Sequence, residues 1–198
     1  MKISKIEAQV KNKGRYSVFV DDKFSFGISE LGLIESGLII GQEVSSGELE
    51  KLKDQAKTDK IYNQTLMLVA RRPRSEWEID DYLKRKGHEP EVRSEILNKL
   101  SIKGFINDED FAKRWVDSRR LLKNISQRKL RVELKQKRIS EEIIDQVLSA
   151  DETDEIEVIK AEIAKKRRQT RYQDNQKLIA YLARQGYNYS DIKAALEN

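Results

Sequence analysis

Cysteine is absent from the 198 residues and histidine occurs once, as His88. Without thiols there is no disulfide scaffold, no thiolate zinc or iron–sulfur site and no thiol nucleophile. One imidazole beside an expected turn cannot furnish a serine–histidine triad, a histidine metal cluster or an HExxH helix. The chain has no run of eighteen apolar residues, and its opening, MKISKIEAQVKNKG, lacks the apolar core of a secretory signal. No Walker phosphate loop, GxGxxG turn or nucleophile elbow is present, and the nine glycines stand singly at expected turns. These absences exclude most catalytic classes. They lead to the expectation of a cytoplasmic binding protein with no catalytic residues, no cofactor, no metal, no membrane segment and no small-molecule substrate.

What the chain has in quantity is charge: 39 basic and 34 acidic residues, 37% of the sequence and +5 net. Such an excess suits a nucleic acid or an acidic protein surface and compels neither. Its distribution is uneven. Residues 1–50 hold 6 basic and 8 acidic side chains, leaving 33 basic and 26 acidic downstream.

Glycine also divides the chain, six of the nine lying in the first fifty residues. There, β-branched and alternating stretches at Ile3–Val10, Arg15–Val20 and Lys23–Ile28 are separated by Asn12-Lys13-Gly14 and Asp21-Asp22, which favour turns. This predicts a small antiparallel meander that needs a helix to complete its core, from Ser29–Ser36 or from the segment after Ser45. Ser45-x2-Glu48 reads as a capping box, with Leu49, Leu52, Ala56 and Ile61 following at helical spacing.

From about residue 61 an internal repeat is legible. Ser75-x3-Ile79-x3-Leu83-x3-Gly87 recurs as Ser126-x3-Leu130-x3-Leu134-x3-Arg138 and as Asp174-x3-Leu178-x3-Leu182-x3-Gly186. Each copy has a helix-starting polar residue, two apolar residues one turn apart, and a stop where glycine takes the left-handed conformation; Arg138 departs from that rule. A first helix precedes each copy (Ile61–Arg72, Asp108–Lys123, Thr153–Arg171). A short third helix follows, marked by Val92/Ile96/Leu100, Ile143/Val147 and Ile192/Leu196. The expected fold is mostly α: an elongated array of three tandem three-helix repeats preceded by the β meander. The segments are 1–50 (β-rich extension), 51–106 (linking helix and first repeat), 107–150 (second repeat) and 151–198 (third repeat).

On the central unit's first helix, Phe111, Ala112, Trp115, Val116 and Leu122 make one apolar stripe, which reads as core. Trp77 falls off the Ile79/Leu83 face and suits a repeat interface or a binding surface. Asp108 and Asp110 have metal-ligand chemistry, but a helix N-terminus is expected there and capping is the better reading. The cations are more informative. Arg128, Arg131, Lys135 and Arg138 recur at i, i+3, i+7 and i+10 beside the Leu130/Leu134 stripe; Lys160, Arg167 and Arg171 repeat the arrangement in the third unit; Arg71-Arg72-Pro73-Arg74 forms a basic turn. Such ridges ordinarily only solvate helices. The functional reading is a surface for phosphates or for an acidic groove on a protein.

Three strings add a resemblance. They are Leu68-Val69-Ala70-Arg71-Arg72-Pro73-Arg74-Ser75-x2-Glu78 with Leu83-x2-Lys86-Gly87; Gly104-Phe105-Ile106-Asn107-Asp108-x2-Phe111-Ala112-x2-Trp115-Val116-x2-Arg119; and Leu130-x2-Glu133-Leu134-x2-Lys137. Together they resemble the RecX family of bacterial recombination regulators over residues 61–198, most specifically in the first two units. The family's Lys-Gly-Ile turn stands here as Lys137-Arg138-Ile139, and the meander looks like an extension found in some members. The resemblance implies a non-enzymatic modulator that binds the RecA recombinase along its filament groove and limits strand exchange and ATP hydrolysis, with weaker affinity for single- or double-stranded DNA. The candidate contact residues are Arg71, Arg72, Arg74, Arg119, Arg120, Arg128, Arg131, Lys135, Lys160, Arg167 and Arg171. The alternative is a nucleic-acid-binding helical-repeat protein that acts without recombinase.

Overall fold

The alternating N-terminal stretches form three antiparallel strands, β1 (Ile3–Ala8), β2 (Arg15–Val20) and β3 (Lys23–Ser29), in the order β1-β2-β3. The computed structural model describes residues 1–197. Asp21 and Asp22, both at positive φ (47° and 63°), make the two-residue connection between β2 and β3. Positive φ at both positions suits the right-handed twist of a tight hairpin. The ladder slips twice, on β1 between Ile3 and Lys5 and on β3 opposite Val18 and Phe19. Val10, expected at the end of β1, lies beyond it and is 96% exposed.

Three strands bury too little alone. Both expected helices complete the core: α1 (Glu30–Ser36) follows β3, and α2 (Ser46–Val69) starts at the Ser45–Glu48 capping box. Ile3, Val18, Val20, Phe26 and Ile28 cluster with Leu38, Val44, Leu49 and Ala56. Asp59 of α2 fastens the corner, accepting the Ser29 N–H (2.8 Å), the Ser29 hydroxyl (2.5 Å) and the Asn63 amide (2.9 Å). A Cβ at Gly32 would come within 2.9 Å of Ile28 Cγ1 and 3.0 Å of Asp59 Oδ1, so α1 lies against this corner only with glycine there.

The expected separate helix Ile61–Arg72 does not exist: α2 is one 24-residue element. No glycine or proline interrupts residues 48–72, so nothing divides the linking helix from the first helix of the repeat, and Pro73 lies just past the stop. The remaining helices are α3 (Glu76–Arg85), α4 (Pro90–Ile102), α5 (Asp108–Leu122), α6 (Gln127–Gln136), α7 (Glu141–Ser149), α8 (Glu155–Lys166), α9 (Asn175–Arg184) and α10 (Tyr189–Glu197). α8 stops five residues short of the expected Arg171. Gln169 is extended, a 3-10 turn occupies Thr170–Tyr172, and Arg167 donates to the Tyr172 carbonyl (3.2 Å) and to that of Gln173 (2.6 Å). The described residues form two units, Met1–Pro73 with Tyr82–Phe105, and Arg74–Asp81 with Ile106 onward.

The repeat is present in three copies. Ile79/Leu83, Leu130/Leu134 and Leu178/Leu182 are all fully buried. At the stops, Gly87 (φ 79°), Arg138 (φ 59°) and Gly186 (φ 94°) are all left-handed. The next amide then bonds back to the second apolar residue of each copy: His88 to Leu83, Ile139 to Leu134, Tyr187 to Leu182. Gly104 (φ 71°) closes α4 in the same way, with Phe105 bonded to Leu100. This is the Schellman closure, in which two otherwise orphaned carbonyls are satisfied. The second repeat's core gathers Phe111, Ala112, Val116, Leu130, Leu134, Ile144, Val147 and Leu148; the third gathers Ile159, Leu178, Leu182, Tyr187, Ile192 and Ala195. Leu122 is a correction to the expected stripe. It is 70% exposed, because the last turn of α5 carries it past the core.

Candidate partner-binding surface

The polar residues at the start of each copy's second helix do more than cap. Ser75 and Ser126 are fully buried, and each hydroxyl donates to the final carbonyl of the next copy's second helix: Ser75 to Lys137 (3.0 Å) and Ser126 to Gln185 (2.7 Å). The same oxygens accept their own helix amides, Glu78 N–H (3.3 Å) and Lys129 N–H (3.2 Å). One residue on, the first helical amide is taken by an acid opening the next copy. Glu76 N–H meets Asp108 Oδ1 (2.8 Å), and Gln127 N–H bonds Glu155 Oε1. Successive repeats are therefore locked by the same two bonds, which satisfy donors and acceptors that helix ends leave open. In the third copy Asp174 replaces serine, is exposed, and caps only its own Gln176 and Lys177 amides.

Burial raises the Asp108 carboxyl above the usual aspartate range, the bond from Glu76 opposing it; burial likewise raises Glu155, against the Gln127 bond and the Arg120 charge. Asp108 thus acts as a capping acceptor. Asn107 accepts the Glu109 and Asp110 amides (2.9 and 3.1 Å), and no metal-ligating cluster of three occurs among the described residues.

Glu78, Trp115, Arg119, Glu133 and Lys137 form one network. Glu133 Oε2 accepts Trp115 Nε1–H (2.9 Å) and Arg119 Nε–H (2.7 Å), while the Arg119 guanidinium lies 4.4 Å from the Trp115 ring centre. Lys137 Nζ is 5.0 Å from that ring on one side and pairs with Glu78 (2.9 Å). A cation over an indole face and two N–H donors on one carboxylate reinforce each other in a half-buried site. At the next junction Arg120, its side chain 11% exposed, donates twice to Asp151 (2.8 and 2.6 Å) and once to the Ile125 carbonyl (2.5 Å). Burial would raise Asp151, but bonds from Thr153 and Arg120 outweigh it and hold the carboxyl below its usual value.

Arg120, a candidate for partner contact, therefore serves the junction between the second and third repeats, while Arg119, another candidate, ties α5 to α6 within the second repeat, in a network that reaches the first through Lys137 and Glu78. Their partner acids lie 14 and 31 residues away, beyond the reach of any helical period. Arg131 and Lys135 do line one side of α6, yet both lean on α7: Arg131 pairs with Glu141 (3.1 Å) and Asp145 (2.5 Å), and Lys135 with Glu141 (2.6 Å). Lys160 pairs with Glu157 on its own helix (2.9 Å), and Arg167 is held by the turn after α8. Arg72 and Arg74 also have partners. Arg71, Arg128 and Arg171 are exposed and make no ion pair among the described residues, Arg171 standing 5.9 Å from the Tyr172 ring. Arg114, Lys123, Lys165 and Arg168 are equally open. A single basic stripe per helix, the signal that spacing provides, leaves these four out. Trp77 is 41% exposed.

These features define a class: a tandem three-helix-repeat protein following a small sheet, in which partly buried ion pairs join helices within and between repeats and several other cations face solvent. Family models match in the same order: "Regulatory protein RecX N-terminal domain" over residues 1–45, and the RecX first, second and third three-helix domains over 62–100, 107–148 and 152–196. Regulatory protein RecX of Listeria welshimeri is 32% identical over 98% of this chain and 74% of its own length; that of Bacillus subtilis is 28% identical over 98% and 76%. A crystal structure of regulatory protein RecX superposes with a TM-score of 0.84 at 29% identity, covering 100% of this chain and 99% of the other. The fold is shared with RecX from Lactobacillus salivarius, at a TM-score of 0.63 and 23% identity over 71% and 94% of the two chains. The chain belongs to the RecX family of regulatory proteins.

Proposed function

We propose that this chain is a regulator that binds the RecA recombinase in its filament groove and modulates, mainly by inhibition, strand exchange and the accompanying ATP hydrolysis in recombination and DNA repair. The observation that carries this reading is the ordered match of four RecX domains along the chain. The geometry suits regulation by contact. Ion pairs hold the helices of the second unit in register, while Arg71, Arg128 and Arg171 make no ion pair among the described residues; Arg72, Arg74, Arg131, Lys135, Lys160 and Arg167 are the further cations proposed for contact. Each exposed cation contributes little alone, but several acting together on a polymer multiply. Direct affinity for DNA is weaker and salt-dependent. The site of action is the cytoplasm; among the described residues no helix is long and apolar enough to cross a membrane.

The test is ATP turnover by RecA on single-stranded DNA at substoichiometric amounts of the protein. Suppression of turnover is expected, and its loss in an Arg71→Glu/Arg128→Glu/Arg171→Glu variant of normal helix content. Unchanged turnover, together with tight DNA binding by the protein alone, would assign the chain to recombinase-independent nucleic-acid binding.

A further inference from the structure

The outer face of the N-terminal sheet carries a row that ordinary strand geometry would not produce. Lys5, Phe19 and Phe24 are cross-strand partners on β1, β2 and β3. In a regular strand residues two apart share a face, so Phe24 would join buried Phe26, and Lys5 would join buried Ile3. The two ladder slips intervene, one on each side of β2. Each adds a residue, Ser4 or Ser25, and turns the next side chain outward, which is how a β-bulge re-aims a residue. Phe24 is left 61% exposed, edge-on to Phe19 at 6.0 Å and 81°, with Lys5 Nζ 5.6 Å from the Phe19 ring centre. Exposing a phenyl ring that one fewer residue would bury forfeits apolar burial, which points to a use for the ring in solvent.

Charge narrows the kind of occupant. Residues 1–29 carry six basic and three acidic side chains, whereas residues 30–50 carry five acidic and none basic. Within this negative N-terminal stretch the strands are thus cationic. Lys11, Lys13 and Lys23 are exposed without ion pairs among the described residues, and the acid on the outer face, Glu7, is paired with Lys5 (2.6 Å). An open antiparallel sheet face with an exposed ring, Phe24, beside the half-buried Phe19 and with lysines in the β1–β2 connection is a surface for unpaired bases: the ring stacks and the cations meet phosphates.

We propose that this face binds single-stranded nucleic acid, one base stacking on Phe24, with Phe19 and Lys5 completing the row and Lys11 and Lys13, in the β1–β2 connection, along the backbone. The proposal is independent of recombinase binding. A duplex, its bases already stacked, has no free face to offer the ring.

The experiment uses the full chain and fluorescence anisotropy with a labelled oligothymidylate and a duplex, each about twenty nucleotides long. Phe24→Leu, which keeps apolar bulk without an aromatic face, is expected to weaken single-strand binding by about fivefold or more and to leave duplex binding unchanged. Phe24→Trp is expected to retain or tighten it. Thermal melting followed by circular dichroism should be the same for all three proteins, as Phe24 lies outside the core. Single-strand binding by Phe24→Leu equal to the parent, or an equal loss on duplex, would overturn the proposal. So would displacement of the oligonucleotide by polyglutamate with the same potency from parent and Phe24→Leu, which would mark the face as a site for acidic protein.

Discussion

Arg138 and Gly186 occupy the same place in successive repeats and face opposite constraints. Both are left-handed, at φ 59° and 94°, a region that costs an L-residue about 1 kcal/mol and glycine nothing. Arg138→Gly is therefore expected to be neutral or to stabilise by up to about 1 kcal/mol, the relief of strain being offset by greater freedom in the unfolded chain; urea unfolding would register it. At Gly186 a Cβ would stand 2.8 Å from Ser126 Oγ and 3.4 Å from Arg128 Cβ. Gly186→Ala should then cost more than backbone strain alone, about 2 kcal/mol or more, because it also pushes on the hydroxyl that bonds Gln185. Ser126→Ala removes a helix cap and leaves that carbonyl unmatched, and is expected to cost about 2 kcal/mol, against about 1 kcal/mol for Asp174→Ala, which loses only a cap. Equal losses in the two would mean that the hydroxyl's bond to the next repeat contributes nothing.

At the scale of elements, stability resides where one helix hands over to another. Removing the acid at Glu133→Ala strands two half-buried N–H donors, Trp115 and Arg119, and should destabilise by about 1–3 kcal/mol. Arg120→Ala strands Asp151 at 7% side-chain exposure and should cost more, about 3–5 kcal/mol. The junction acids titrate in opposite senses. Asp108 and Glu155, and Glu76 beside Asp108, have carboxyls raised by burial, so the folded state binds protons more readily than the unfolded chain. Their contribution favours folding fully below the unfolded values and is lost as pH rises through the folded ones. Asp151 is lowered; its contribution is present above the ordinary aspartate value and lost as pH falls through its folded value. Asp108→Asn, which keeps an acceptor for Glu76 N–H, should therefore raise the urea midpoint at pH 7 relative to the parent and leave little difference near pH 3. The reverse order would show that the charge itself is needed at that helix start.

Across the whole molecule, net charge and its exposure set how the chain meets partners. The proposed inhibition of RecA should weaken as salt rises from about 50 to 200 mM, because exposed charge is screened over about 10 Å at 0.1 M, while the unfolding midpoint in urea should move little, the junction pairs being partly or wholly buried. Salt-independent inhibition would remove the basic surface from the contact. Much of the architecture was legible. The 51- and 48-residue spacings of the repeat, the meander and the stops appear in the sequence because periodicity and turn chemistry are local. What stayed hidden depends on distant partners. Nothing within a turn of Arg119 or Arg120 signals that an acid from a distant part of the chain will take it, so both read as surface. Nothing in Lys23-Phe24-Ser25-Phe26 announces an extra residue in the ladder, so the outward turn of Phe24 was invisible. The fusion of α2 with the first repeat was missed for a different reason: the repeat suggested a boundary where no breaking residue stands.

The exchange of serine for aspartate at the third copy gives the array a grammar. A hydroxyl at that position gives and receives at once, so it can seat a successor; a carboxylate only receives, and facing another helix's terminal oxygen it would repel. Any further unit attaching to the third in the manner of the first two would meet that repulsion at Asp174, and engineered extension of the array should begin by writing Asp174→Ser.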